Sequence, residues 1–153
     1  MISYYLMKYK LAPEIKRQVR ILIKELNFTH IKPNQIHCIR SFDAKTRAIA
    51  RIWGMAKLFH EVAGIKPNYI IEVNAKRFDK MGDRDKIKTL IHELMHIPKS
   101  FGGGFIHHDV VHARNVERMY QHYCNLNAKQ YSNDTKIYQR VVIEEPKKKF
   151  WFS

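Results

Sequence analysis

"HELMHIPKSFGGGFIHHD", His92 to Asp109, packs four of the chain's nine histidines into eighteen residues. Its first five letters set two histidines four positions apart, with a glutamate directly after the first. In an α-helix the side chain four residues on returns to the same face, so His92 and His96 project side by side, one turn apart. Two imidazole nitrogens so placed reach a single zinc ion at about 2.0–2.1 Å. Glu93 falls on the flank of that stripe. From there its carboxylate reaches a water beside the metal rather than the metal itself, the position of a general base.

The residues upstream fit the helix that this reading requires. "FDKMGDRDKIKTLIHELMHIP" offers Asp83 or a neighbour as a cap, acids in its first turn and Pro98 as its stop. Ile87, Leu90, Ile91, Leu94 and Met95 make an apolar face. Asp85, Thr89, His92 and His96 make the stripe on the other side. Downstream, Pro98 ends the helix and three glycines permit a tight reversal. His107 and His108 then arrive at the start of a next helix, expected from about Asp109 to Asn125 with Val110, Val111, Val116, Met119, Tyr120 and Tyr123 on its apolar side.

Catalytic zinc sites usually take three protein ligands and leave one position open, so a third ligand has to come from this returning segment. His107 and His108 are neighbours, and at most one of them faces the metal. Spacing leaves the two level. His112, one turn beyond His108, and Glu117, of the kind that glutamate-ligand zincins carry on a following helix, are further candidates. Asp109 is placed to cap the helix or to hydrogen-bond a ligand imidazole. His122 reads as an ordinary surface residue. Tyr120 and Tyr123 lie in the right part of the chain to face an oxyanion, but nothing singles out either.

Elsewhere, Pro13–Leu26 opens on proline and glutamate and carries Ile15, Val19, Leu22, Ile23 and Leu26 at helical steps. "QIHCIRSF" and "TRAIARIWG" read as short strands, the first with a slip in its alternation at Ile39. "MAKLFHEVAG" reads as a helix stopped by Gly64, and "YIIEV" as a compact β-branched strand. That last strand is either a core strand or an edge along which an extended peptide can lie. A further strand is expected at Ile137–Ile143, followed by a basic aromatic tail at residues 146–153. No repeat, linker or low-complexity block intervenes. The 153 residues are therefore expected to form one α+β domain.

The bulk properties narrow the class. No apolar run is long enough to span a bilayer, and the first eighteen residues lack the pattern of a secretory signal. Cys38 and Cys124 lie far apart without a CxxC, which suits thiols in a reducing cytoplasmic setting. The formal net charge is +14, and it is uneven. Residues 1–26 carry six basic and two acidic side chains, and residues 27–60 carry six and one. Such a field attracts nucleic acid or acidic proteins. Arg40, Lys45, Arg47 and Arg51, with Trp53 near them, can supply phosphate contacts and a stacking platform.

"IRSFDAKTRAIARIWG", "YIIEV…FDKM" and above all "TLIHELMHIPKSFGGGFIHHD" resemble the phage and archaeal metallopeptidase family, a group of small HExxH zincins. The likeness runs from about Ile39 to Tyr120. It implies a compact zincin-like (minigluzincin-type) α+β fold, in which a small twisted sheet packs against the HExxH helix and a following helix completes the site. The family's recurrent downstream histidine falls on His108, which implies that His92, His96 and His108 hold Zn²⁺ and that Glu93 is the general base in hydrolysis of a protein or peptide substrate. Two other expectations stand beside this one. The first is a nucleic-acid-binding protein with a structural or residual zinc site. The second is a peptidase brought to nucleic-acid-bound proteins by its basic N-terminal half. An intact Glu93 argues against a purely structural site, because structural zinc needs no base.

Overall fold

The computed structural model describes the backbone of residues 8–143 and the side chains of residues 8–130. Its elements in chain order are β1 (Tyr9–Leu11), α1 (Pro13–Glu25), a 3₁₀ turn (Pro33–Gln35), β2 (Ile36–Ser41), β3 (Ala50–Gly54), α2 (Lys57–Ala63), β4 (Tyr69–Asn74), α3 (Ala75–Phe78), α4 (Asp83–Met95) and α5 (Ala113–Ile143). The architecture is α+β: a four-stranded sheet in the order β1-β2-β4-β3, with the site helix α4 packed against it. The tail at residues 146–153 lies outside the described residues.

β4 and β2 run parallel through the middle of the sheet, from Ile36 opposite Tyr69 to Ser41 opposite Asn74. β1 and β3 flank them, each antiparallel to its neighbour. Side chains alternate between the faces of a strand. Ile36 and Cys38 on β2 and Tyr69, Ile71 and Val73 on β4 accordingly meet in the core. Ile39, opposite Leu11 of β1, is half-buried, and the burial alternation of β2 breaks just after it, with Ser41 the next buried residue, while its pairing with β4 runs on in register. α1 buries Ile15, Val19, Leu22 and Ile23 in the same core. α4 contributes Leu90, Ile91 and Leu94, each no more than 2% exposed. Burying side chains of this size is worth roughly 1.5–3 kcal/mol each, and it fixes which face of α4 looks outward.

Some open alternatives are resolved and other expectations are corrected. "YIIEV" is an interior strand, the core alternative of the two, and the sheet's edges are β1 and β3. α4 has Gly82 as its N-cap with no side-chain cap, and Asp83 is its first helical residue. α5 starts at Ala113, not Asp109, because residues 107–111 are folded into a turn in which the His107 carbonyl accepts the amides of Val110 and Val111. α5 also continues to Ile143, where a strand was expected at Ile137–Ile143. No glycine or proline falls between Ala113 and Ile143, and extending a formed helix costs less than nucleating a new element. β1 was not foreseen. Cys38 and Cys124 are both free thiols, the first buried and pushed up to about 12 by that burial.

α2 forms where its helical periodicity places it and ends on Gly64 in the left-handed region, but Leu58, Phe59 and Val62 stand 67%, 58% and 77% exposed. The two helices therefore respond differently to truncation. Val62→Ala is expected to change unfolding free energy by less than about 0.5 kcal/mol, and Leu94→Ala to lower it by roughly 2–5 kcal/mol. Urea denaturation of the two variants checks this.

Candidate metal centre

α4 ends in the motif that defined it. His92 lies in its last turn and His96 is the C-cap residue, still in helical conformation. Their Nε2 atoms face each other at 3.1 Å. After Pro98 the chain turns through the glycines and comes back to the same helix end. There the Ile106 amide donates to the His96 carbonyl at 2.8 Å, and the Ile106 carbonyl lies 2.5 Å from His96 Nδ1. A carbonyl only accepts, so Nδ1 carries the proton, and the lone pair of His96 is on Nε2, aimed at His92. Two residues on, His108 completes the group. Its ring centre is 4.5 Å from that of His96 and 5.4 Å from that of His92. One nitrogen from each of the three imidazoles fits within 4.8 Å of the others.

The donor set fits a metal ion. Two nitrogens sharing a tetrahedral zinc sit about 3.3 Å apart, as the bond lengths and the tetrahedral angle dictate. The 3.1 Å approach of the two Nε2 atoms is close to that spacing. His96 is buried, His92 half-buried and His108 exposed, so the group opens to solvent on the His108 side.

Burial sets the protonation states. It lowers the His92 imidazole to about 4, with the neighbouring His96 and His108 adding to the effect. His96 is lowered too, chiefly by burial, against the opposing pull of the Ile106 carbonyl. Both are therefore neutral at pH 7, the form that ligates metal. Glu93 is 7% exposed, and burial raises its carboxyl to about 7. A carboxyl poised there takes up and releases a proton near neutrality with little driving force either way.

Two cavities meet at His92 and Glu93. One, of about 540 Å³, is bounded by residues 47–50, Met81, Lys88, Ala113 and Val116, and Asp85 and Thr89 of the predicted stripe also face it. The other, of about 460 Å³, holds His96, His107 and His108 and is walled by Ile52, Phe105 and Ile106. Ala48 and Ala50 line both, so together they form a trough along the edge strand β3 with Glu93 near its middle.

The remaining candidates fall elsewhere. His107 faces the second cavity but is outside the three-imidazole group. His112 is exposed, and its carbonyl accepts the Asn115 and Val116 amides at the head of α5. Glu117 pairs with Lys88 at 2.6 Å and with Arg84. Hydrogen bonds from Gln121 and Lys88 hold its carboxyl down to about 2. Asp109 precedes α5 by four residues and does not cap it. Tyr123 receives a hydrogen bond from Gln18 of α1, the Arg84 guanidinium lies over the Tyr120 ring, and neither tyrosine lines the trough. Of the expected phosphate contacts, Arg40 is paired with Glu14 and Asp79, and Arg51 with the buried Glu72. Trp53 also donates to Glu72, at 2.7 Å. Sequence reasoning missed the Ile106 carbonyl, since any residue type supplies one, and the edge position of β3, since periodicity does not give strand order.

Three imidazoles from a helix and a returning loop, with a buried carboxylate beside them, define a candidate metal centre of the metallohydrolase kind. A family model described as "Putative phage metallopeptidase" matches residues 7–139, and the chain belongs to that family. The match takes in α1, which lay outside the stretch of likeness read from the sequence. No curated protein and no solved structure matches the chain. Among the described residues, no helix is long and apolar enough to cross a membrane.

The environment of Glu93 has a measurable consequence. A carboxyl raised from 4.5 to about 7 in the fold makes its ionisation unfavourable there, so it costs the folded protein stability as pH rises through that interval. In metal-free protein, Glu93→Gln is expected to be more stable than wild type at pH 8.5, by on the order of 3 kcal/mol, and equal to it near pH 4. Urea titrations at the two pH values check the sign. Equal stability at pH 8.5 would mean that the charge is compensated.

Proposed function

We propose that the protein is a zinc-dependent metallopeptidase, with His92, His96 and His108 as the metal ligands and Glu93 as the general base. One observation carries the reading: three imidazole nitrogens converge beside a buried carboxyl poised near neutrality, at the middle of an open trough. The donor set favours zinc, which binds imidazole readily and in catalytic sites is held by three protein ligands. Zinc held there would acidify a water and polarise the scissile carbonyl.

The protein's own groups do the rest. His96, fixed through Nδ1 by the Ile106 carbonyl, presents one defined nitrogen. Glu93 accepts a proton from the attacking water at its carboxylate and delivers it to the departing amine. The outer edge of β3, unpaired among the described residues, offers backbone groups to an extended peptide, which would lie in the trough across Glu93. The wall formed by Ile49, Met81, Ala113 and Val116 suits an apolar side chain next to the cleaved bond.

The experiment compares metal content and peptide cleavage across variants. Wild type is expected to hold one equivalent of zinc, His107→Ala to keep it, and His92→Ala and His108→Ala to lose it. Cleavage of casein or a peptide library should stop with a chelator and return with zinc. Glu93→Gln should bind zinc and cleave at least a hundredfold more slowly, the lower end of what proton transfer by a positioned base contributes. Full cleavage by Glu93→Gln would refute the mechanism. Failure of wild type to bind zinc would refute the function.

A further inference from the structure

The segment that delivers His108 contains three consecutive glycines, Gly102 to Gly104, which cost more conformational entropy to order than other residues. It is held from outside. Tyr69, the first residue of the central strand β4, is completely buried, and its phenol oxygen meets the loop. The hydroxyl accepts the Gly103 amide at 2.8 Å and donates to the Gly104 carbonyl at 3.0 Å. Phe101 and Phe105, which bracket the glycines, pack on its ring with centres at 5.0 and 6.1 Å. Burial raises the phenol above its ordinary value, so the donor stays protonated at neutral pH.

The loop packs closely on its neighbours where it lies. Gly103 adopts φ +93°, and a Cβ there would collide with the Met55 carbonyl. A Cβ on Gly54, at the end of β3, would collide with the Gly103 carbonyl. Backbone therefore rests directly on backbone, and the tyrosine hydroxyl pins the contact from below. A phenylalanine would fill nearly the same space in the core. What the hydroxyl adds is two hydrogen bonds to the chain four and five residues before His108.

The geometry points to Tyr69 as a positioning residue of the metal centre: its hydroxyl fixes Gly103 and Gly104 so that His108 meets His92 and His96. This inference rests on reading His108 as the third ligand. Tyr69 is not one of the three imidazole ligands and lines neither cavity of the trough, so it acts only through the loop. Loss of the hydroxyl should leave the core intact while freeing the loop, so that metal affinity falls because one of three ligands is no longer held in place.

The test uses Tyr69→Phe in the full chain, alone and combined with His108→Ala, with two readouts. The first is zinc affinity by competition with a chelator. Tyr69→Phe is expected to weaken zinc binding roughly ten- to a hundredfold, the range for groups that orient metal ligands. In the His108→Ala background, which no longer retains zinc through purification and whose weak residual affinity through His92 and His96 is read by titration with excess zinc, it should have no further effect. An equal loss in both backgrounds, or no loss in either, overturns the inference. The second readout needs no metal. Amide hydrogen exchange in metal-free protein should accelerate at least tenfold at Gly103 and Ile106, with α1 and β2 unchanged. Unchanged exchange at Gly103 and Ile106, or acceleration spread over the whole core, also overturns it. Wild type that takes up no zinc while Tyr69→Phe still loosens Gly103 would defeat the metal reading and leave the loop anchor standing.

Discussion

The short contact between His96 Nδ1 and the Ile106 carbonyl, with the Ile106 amide bonded back to the His96 carbonyl, ties the end of α4 to the chain that returns after the glycines. Everything at the centre depends on this closure. It chooses the tautomer of His96, so that the remaining lone pair faces His92. It also brings residues 106–108 to the level of the helix end, which is what allows a third imidazole to join the first two. The helix supplies two ligands by its own periodicity, but periodicity alone cannot supply the third.

The electrostatics of the site follow from where α4 is anchored. Leu90, Ile91 and Leu94 hold one side of the helix in the core, and the motif residues are left at its boundary with the trough. At that boundary the imidazoles are dry enough to stay neutral, and Glu93 is dry enough to resist ionisation. The outer charges are arranged differently. Lys88, one turn before His92, is occupied by Glu117, and Arg51, on the edge strand, is occupied by Glu72. These pairs keep fixed cations near the site engaged, in a chain whose formal net charge is +14.

What the sequence reveals depends on the range of the interaction. The α1 face and the division of α4 into a core side and a histidine side rest on three- and four-residue spacings, and both are present in the structure. The central strands β2 and β4 carry enough β-branched and apolar alternation to be read as well. β1 is three residues long and exposed throughout, and it exists only because it pairs with Ser41, Arg40 and Ile39. The start of α5 was misplaced because Asp109 looks like a cap, whereas the chain there is still engaged in the turn at His107. Spacing could not separate His107 from His108. The structure places His108 with His92 and His96 through a carbonyl two residues earlier, and a carbonyl has no sequence signature.

The most direct test of the centre is zinc X-ray absorption fine structure on the metal-loaded protein. The account requires three imidazole nitrogens and one further light ligand, all at about 2.0–2.1 Å. Two imidazoles only, a sulfur neighbour at about 2.3 Å, or four protein ligands with no exchangeable position would contradict it.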